Sequence, residues 1–157
     1  MVRILTSAAA LLAFFGAVTG APAVEEPQGN VTFTYRTLEE AQALAAKLKR
    51  SEPAEAAGLE SRQIPAFGAY WADWDFQGAS YYHRANIDGK GYYIGNDWND
   101  RISSIKNFDY DKKCIYWTDW SGSACYGSGI ILAGRTEYAR LYSPYNDAIS
   151  CRECSWN

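Results

Sequence analysis

The chain has 157 residues, with 15 lysines and arginines, 18 aspartates and glutamates, and a formal net charge of −3. From residue 51 to the end, 10 basic and 14 acidic side chains give a net charge of −4, and no basic cluster interrupts the sequence. A phosphate backbone needs a positive surface, so this balance argues against nucleic acid as a partner. It also argues against a cationic membrane-disrupting peptide.

The first 23 residues are typical of a secretory signal peptide. Arg3 precedes an apolar run over residues 8–18, and residues 21–23 form a small-residue cleavage motif of the A-x-A type. The run is about half of the roughly 20 apolar residues that a spanning helix needs, so we expect secretion and no membrane span. Asn30 then begins an N-glycosylation sequon, which matters only in a eukaryotic host.

The segment after the signal peptide contains one predicted helix. Thr37 and Glu40 have the spacing of a capping box, and apolar residues then recur every three to four positions, at Leu38, Ala41, Leu44, Ala45 and Leu48. The pattern ends at the basic pair of residues 49–50. This pair either stabilises the helix C-terminus or resembles a site for a kexin-type processing protease. We therefore interpret residues 24–65 as a helical pro-region or linker, with cleavage after Arg50 as one outcome.

All four cysteines lie in the last 44 residues. Outside the cell disulfides are favoured, and a zinc site would need two close cysteine pairs where only Cys151 and Cys154 have that spacing. On one extended strand these two would lie about 10 Å apart, too far to bond to each other. Either Cys114 and Cys125 face each other across a hairpin, or each pairs with one of Cys151 and Cys154.

From about residue 65 the composition changes to aromatic and β-branched residues with Gly, Asp and Asn at short intervals, which predicts an all-β domain over residues 66–157. All six tryptophans lie there. Eight short strands in two groups of four suit a sandwich. We expect them near residues 67–73, 79–84, 91–94, 103–108, 113–118, 123–127, 138–142 and 148–155.

Two parts of this domain occur twice in the same order, and the signature part repeats at a spacing of 47 residues. The sequence Asn-Asp-Arg-Ile-Ser-Ser at 99–104 aligns with Asn-Asp-Ala-Ile-Ser-Cys at 146–151, and Trp71–Gly78 aligns with Trp117–Gly122. The first element resembles the (N/D)-(N/D)-x-x-(S/T)-S signature of calcium-binding βγ-crystallins. The second resembles the aromatic-x-x-x-x-aromatic-x-Gly hairpin of the same family. The second copy departs from the pattern, because its hairpin is two residues shorter and its last serine is Cys151.

The resemblance implies one Greek key per repeat, two keys packed as a sandwich, and a pair of Ca²⁺ sites between them. In such proteins the carbonyl at the third signature position helps to hold one ion and the hydroxyl at the fifth helps to hold the other. Carried onto this chain, these groups are the carbonyls of Arg101 and Ala148 and the hydroxyls of Ser103 and Ser150. The other signature side chains would add ligands or brace the loops, namely Asn99, Asp100, Asn146 and Asp147. The alternative is that both stretches are only Asx turns that lead into strands.

The sequence does not predict an enzyme. His83, the only histidine, has no nucleophile pattern near it, and Asp73 and Asp75 lie together beside a turn, as in a solvated hairpin. We expect an extracellular, monomeric Ca²⁺-binding protein that calcium stabilises. The alternative, also implied by the resemblance, is a secreted killer toxin, antimicrobial protein or protease inhibitor that acts on a protein or cell-wall glycan. Four tryptophans would form its contact surface or else belong to the core, Trp71, Trp74, Trp117 and Trp120.

Overall fold

The computed structural model describes residues 31–50, 66–84 and 86–157. The predicted signal peptide, the sequon residue Asn30 and the chain immediately after Arg50 therefore lie outside the described residues. No helix among the residues that are described is both long enough and apolar enough to cross a bilayer.

The described chain forms nine strands and one α-helix. In chain order they are β1 (Val31–Arg36), α1 (Leu38–Arg50), β2 (Gly68–Trp71), β3 (Ser80–His83), β4 (Gly91–Tyr93), β5 (Ser104–Asn107), β6 (Lys112–Trp120), β7 (Cys125–Ala133), β8 (Glu137–Tyr138) and β9 (Cys151–Trp156). Each of the eight predicted strands has a counterpart in β2 to β9. Strand β1 was not predicted.

The strands form two antiparallel sheets and belong to two Greek keys, and each key contributes strands to both sheets. The first key is β2 to β5 and the second is β6 to β9. One sheet has the order β3-β2-β5-β8 and the other has the order β1-β7-β6-β9-β4. The third strand of each key, β4 or β8, thus lies in the sheet of the other key. The two-key sandwich implied by the resemblance is confirmed, and neither sheet is complete with the strands of one key alone.

The main core lies between the two sheets. Alternation along the strands directs Tyr70, Ile105, Tyr116, Ile130 and Leu132 inward, and all five are fully buried. Burying apolar surface at about 25 cal/mol per Å² is the main favourable contribution to the stability of such a core.

A second, smaller cluster lies on the opposite face of the larger sheet. It consists of Trp117, Cys125 and Cys151, with Ile115 and Trp120 packed against it. Its burial is unusual for an outer sheet face, because such faces are commonly solvated in antiparallel sheets. The N-terminal segment covers this face.

Helix α1 forms as predicted and packs beside this face. Its capping box is closed: the Thr37 amide donates to Glu40 Oε2 (2.9 Å), and the Glu40 amide donates to Thr37 Oγ1 (3.3 Å). The hydrogen bonds that the Thr37 amide and the Thr37 hydroxyl donate to the Glu40 carboxylate hold the pKa of that carboxyl below its ordinary value. Ala41 is buried, and the helix lines a cavity of about 90 Å³ together with Gly91, Ala124 and other residues of the domain.

Both disulfides join different strands of the second key. Cys114 bonds to Cys154 in the main core, and Cys125 bonds to Cys151 in the outer cluster. Each of the first two cysteines therefore pairs with one of the last two, which is one of the two arrangements left open by the sequence. Among the described residues no cysteine is free.

His83 has the structural role expected for it. Its ring is fully buried, and Nε2 lies 2.8 Å from the Tyr116 hydroxyl. The absence of a side chain at Gly68 on the neighbouring strand makes space for the ring, since a Cβ at Gly68 would lie 2.5 Å from Nε2. Burial, and secondarily the positive charge of Arg152, lowers the pKa of His83 to about 3. The folded protein therefore keeps this ring neutral at physiological pH.

This burial predicts a pH-dependent stability. Below pH 6.5 the unfolded chain binds a proton on its histidine while the folded chain, with a pKa of about 3, does not. We expect the free energy of unfolding to fall by about 1 kcal/mol per pH unit on average between pH 6.5 and 5, a range in which ordinary carboxylates stay mostly ionised. Urea denaturation at several pH values measures this slope. His83→Gln should flatten it, and an unchanged slope in that variant would contradict the assignment.

Candidate metal site between the two Greek keys

The two signature stretches adopt the same turn, bond for bond. In the first, the Gly95 carbonyl accepts from the amides of Trp98 (3.1 Å) and Asn99 (2.9 Å). In the second, the Tyr142 carbonyl accepts from the amides of Tyr145 (2.8 Å) and Asn146 (3.1 Å). The offset between the two sets is the 47 residues of the sequence repeat. The repeat is thus expressed in the backbone hydrogen bonds as well as in residue types.

The two turns are joined to each other by reciprocal backbone hydrogen bonds. The amide of Asp100 donates to the Ile149 carbonyl (3.2 Å), and the amide of Asp147 donates to the Ile102 carbonyl (3.1 Å). In both directions the donor is the second residue of one signature and the acceptor is the fourth residue of the other. This places the second residue of one signature beside the fifth residue of the other.

The side chains at those positions pair across the keys. Ser103 Oγ donates to Asp147 Oδ1 (3.2 Å), and Ser150 Oγ lies 3.5 Å from Asp100 Oδ1. Both serines are buried, whereas both aspartates are exposed. The structure therefore contains two clusters of a hydroxyl and a carboxylate, each with one residue from each key and each open to solvent on the carboxylate side.

The asparagines orient the carboxylates. Asn99 Nδ2 donates to Asp100 Oδ2 (2.7 Å), and Asn146 Nδ2 donates to Asp147 Oδ2 (2.8 Å). The remaining oxygen of each aspartate is therefore the one that faces the serine of the other key. Each asparagine thus holds the neighbouring carboxylate in position.

The backbone of the two aspartates is in the left-handed region, with φ of 56° at Asp100 and 51° at Asp147. Few residues other than Gly, Asn and Asp adopt this conformation readily. The next residue after each aspartate, Arg101 or Ala148, carries one of the carbonyls expected to be a ligand. In the described part of the chain no hydrogen-bond donor reaches either carbonyl oxygen. The Arg101 guanidinium donates to the Asp97 carbonyl (3.0 Å).

The last signature position fixes each hairpin, by different chemistry in the two copies. In the first copy Ser104 Oγ donates to the Asp73 carbonyl (2.8 Å) and accepts from the Phe76 amide (3.2 Å). In the second copy Cys151 forms the disulfide to Cys125. A covalent bond thus takes the place of two hydrogen bonds.

The first hairpin supports the site directly, a role that the sequence did not predict. Its turn has φ of 57° at Asp75, 61° at Phe76 and 74° at Gly78, and the Phe76 ring packs on Trp71 with centroids 5.0 Å apart. This geometry presents Trp74, whose Nε1 donates to Asn146 Oδ1 (3.0 Å). An exposed Trp in a hairpin of one key thus contacts the signature loop of the other.

The four tryptophans suggested as a contact surface separate into two groups. Trp71 and Trp117 are buried, with 8% and 1% of their surface exposed, so the core interpretation is right for them. Trp120 is half-buried and stacks on Tyr93, while Trp74 is 46% exposed. They do not form one exposed aromatic surface.

Asp75, one of the two aspartates beside the turn of the first hairpin, forms an ion pair with Arg140 (Nη2 to Oδ2, 2.9 Å). Hydrogen bonding to Arg140 lowers the pKa of the Asp75 carboxyl. The contact joins the first hairpin to the segment after β8, which agrees with a structural role for this aspartate.

Comparison with solved structures finds several βγ-crystallin domains. A domain solved in work on the evolution of the eye-lens βγ-crystallin domain fold is 21% identical, and the match covers 64% of this chain and 95% of that chain with a TM-score of 0.49. A βγ-crystallin domain from Flavobacterium johnsoniae is 20% identical, and the match covers 58% of this chain and 96% of that chain with a TM-score of 0.45. The N-terminal domain of protein S is 20% identical, and the match covers 58% of this chain and 97% of that chain with a TM-score of 0.44. At these identities the likeness is one of fold.

No protein-family model matches the chain, and no curated protein sequence matches it.

The corner at Ser104 predicts a measurable loss of stability. Ser104→Ala removes the acceptor of the Phe76 amide and the donor to the Asp73 carbonyl in a partly buried place. We expect the free energy of unfolding to fall by about 1–3 kcal/mol in urea denaturation. Ser80→Ala, an exposed serine on β3 of the same sheet, is the control and should change stability by less than about 0.5 kcal/mol. Equal effects of the two substitutions would refute this role of Ser104.

Proposed function

We propose that this protein is an extracellular Ca²⁺-binding protein in which calcium stabilises the contact between its two Greek keys. The observation that supports this most directly is the reciprocal pairing of Ser103 with Asp147 and of Ser150 with Asp100. A turn that only leads into a strand has no need of a hydroxyl and a carboxylate from the other half of the protein.

The oxygen atoms at the site match the chemistry of calcium. Ca²⁺ takes six to eight oxygen ligands from carboxylates, carbonyls, hydroxyls and water. Each cluster offers one serine hydroxyl and one aspartate carboxylate, and the carbonyls of Arg101 and Ala148 accept no other hydrogen bond within the described chain. These groups would hold the ions. Water would supply the remaining ligands, because both aspartates are exposed.

Few carboxylates per ion and an exposed position imply weak binding. We expect dissociation constants on the order of 10⁻⁵–10⁻³ M, within the range of extracellular modules. Because each cluster draws on both keys, an ion there binds the folded chain and not the unfolded one. Such binding stabilises the fold by about 2.7 kcal/mol when the ion is at a hundred times its dissociation constant.

The proposed role is not catalytic. The buried His83, with a pKa of about 3, is not a general base at neutral pH, and Asp75 is paired with Arg140. Two disulfides and the absence of an apolar spanning helix from the described residues are compatible with an extracellular protein. The toxin or inhibitor alternative stays a prediction, and it shares the same fold and disulfides.

Calcium titration tests the proposal. Isothermal calorimetry should detect Ca²⁺ binding, and chelation with EGTA should lower the melting temperature by several degrees. Removing both hydroxyls, in Ser103→Ala with Ser150→Ala, should weaken binding by at least tenfold. The fluorescence of Trp74, which contacts Asn146, should report the same transition, and Trp74→Phe should remove that component.

The matched control is Ser80→Ala with Ser155→Ala, which removes two serine hydroxyls from strands away from the signature loops. It should bind Ca²⁺ as the parent protein does. If the parent shows no heat of binding and no change in melting temperature on chelation, the paired Ca²⁺ site is wrong. If both double variants bind equally well, the ligand assignment is wrong.

A further inference from the structure

The N-terminal segment, residues 31–50, is bound to the domain as a ligand would be. Strand β1 pairs with β7 along its whole length, from Val31 opposite Leu132 to Arg36 opposite Gly127. Backbone pairing of an added strand at a sheet edge is a recurrent mode of peptide recognition. The edge of β7 is thus the acceptor for this strand.

The strand places an arginine in a built pocket on the outer face of the larger sheet. Arg36 Nη1 lies 2.5 Å from Glu153 Oε1 and donates to the Cys125 carbonyl (3.4 Å), and its guanidinium stacks 4.3 Å above the Trp117 ring. Glu153 is 7% exposed and Trp117 is 1% exposed. A buried carboxylate, a carbonyl and an aromatic face together suit an arginine better than any other side chain.

Other parts of the segment also fit shaped features of the domain. A Cβ on Gly129 would lie 2.8 Å from both Thr34 and the Trp117 ring, so the glycine leaves room for the strand and the indole together. On the opposite side of β1, Phe33 stacks on Tyr145 with centroids 5.3 Å apart. The acceptor surface is therefore complementary to both faces of the strand.

The attachment of this segment is noncovalent apart from the connecting chain. All four cysteines lie beyond residue 113 and pair with one another, so no disulfide holds residues 31–50. The segment ends in the exposed basic pair Lys49 and Arg50, and 15 residues separate Arg50 from Ala66. A cut in this connection would sever the only covalent link.

We propose that the β7 edge and the pocket of Trp117 and Glu153 form a binding site for an arginine-bearing strand. Its occupant is residues 31–50, which stay bound as a separate chain after cleavage behind Arg50. Processing there yields a two-chain protein and does not release a free domain over residues 66–157. Loss of the segment would remove the cation paired with Glu153 and expose the Trp117 face to water, and both changes are unfavourable. This inference does not depend on calcium.

The test uses the full chain with a sequence-specific protease site substituted for residues 54–60. After complete cleavage, the two pieces should co-elute in size-exclusion chromatography at micromolar concentration, and native mass spectrometry should show their complex. A fluorescent peptide of residues 31–50 should exchange into the cut protein. Separate elution of the pieces, or failure of the peptide to enter, would overturn the proposal.

A second measurement isolates the arginine without altering the fold of the domain. The same peptide carrying Arg36→Ala should bind the cut protein at least tenfold more weakly, and Arg36→Lys should restore only part of the loss, because lysine lacks the planar guanidinium. Arg135→Ala in the cut protein is the control. Like Arg36, Arg135 stacks on an aromatic ring, here that of Tyr110, but it contacts neither the segment nor the pocket. Equal affinity of the parent and Arg36→Ala peptides would overturn the assignment of the pocket.

Discussion

The two backbone hydrogen bonds between the signature turns are the contact on which the other features depend. The Asp100 amide donates to the Ile149 carbonyl, and the Asp147 amide donates to the Ile102 carbonyl. Each key therefore holds the signature turn of the other in place. They follow from the exchange of β4 and β8 between the sheets, which brings the two loops face to face. The pairing of each serine with the opposite aspartate, and hence any cation site there, exists only while both keys are docked. The stability of the contact between the keys and the proposed ion binding therefore depend on the same place.

Much of the fold follows from the sequence, because its signals are local and repeated. Two copies of a two-part motif, whose signature parts lie 47 residues apart, indicate where each key lies, and period-two patterns locate its strands. The helix follows from its capping box. The pairing of serine with aspartate does not follow in this way, because it depends on how two distant loops meet. Neither does the support that Trp74 gives to Asn146, since the residues are 72 positions apart.

Strand β1 was missed although its sequence carries a strand pattern. Residues 31–36 read Val-Thr-Phe-Thr-Tyr-Arg, an alternation of large apolar and β-branched residues. The helix and the basic pair at residues 49–50 instead led to the interpretation of residues 24–65 as a pro-region or linker outside the domain. Because the partner of this strand lies almost a hundred residues away on β7, only its alternation could have shown that it joins the sheet. The pair of half-buried Arg36 and buried Glu153 was missed for the same reason.

The different corners at Ser104 and Cys151 divide the protein into a cross-linked half and a half without cross-links. Both disulfides lie within the second key, so its strands remain tied near one another even in the denatured chain. The first key has only hydrogen bonds and packing to hold its hairpin. The cross-links therefore lower the conformational entropy of the unfolded second half but not that of the first. Two halves that share a motif thus contribute unequally to folding: one limits the conformations of the unfolded chain, and the other supplies the contacts that complete the native state.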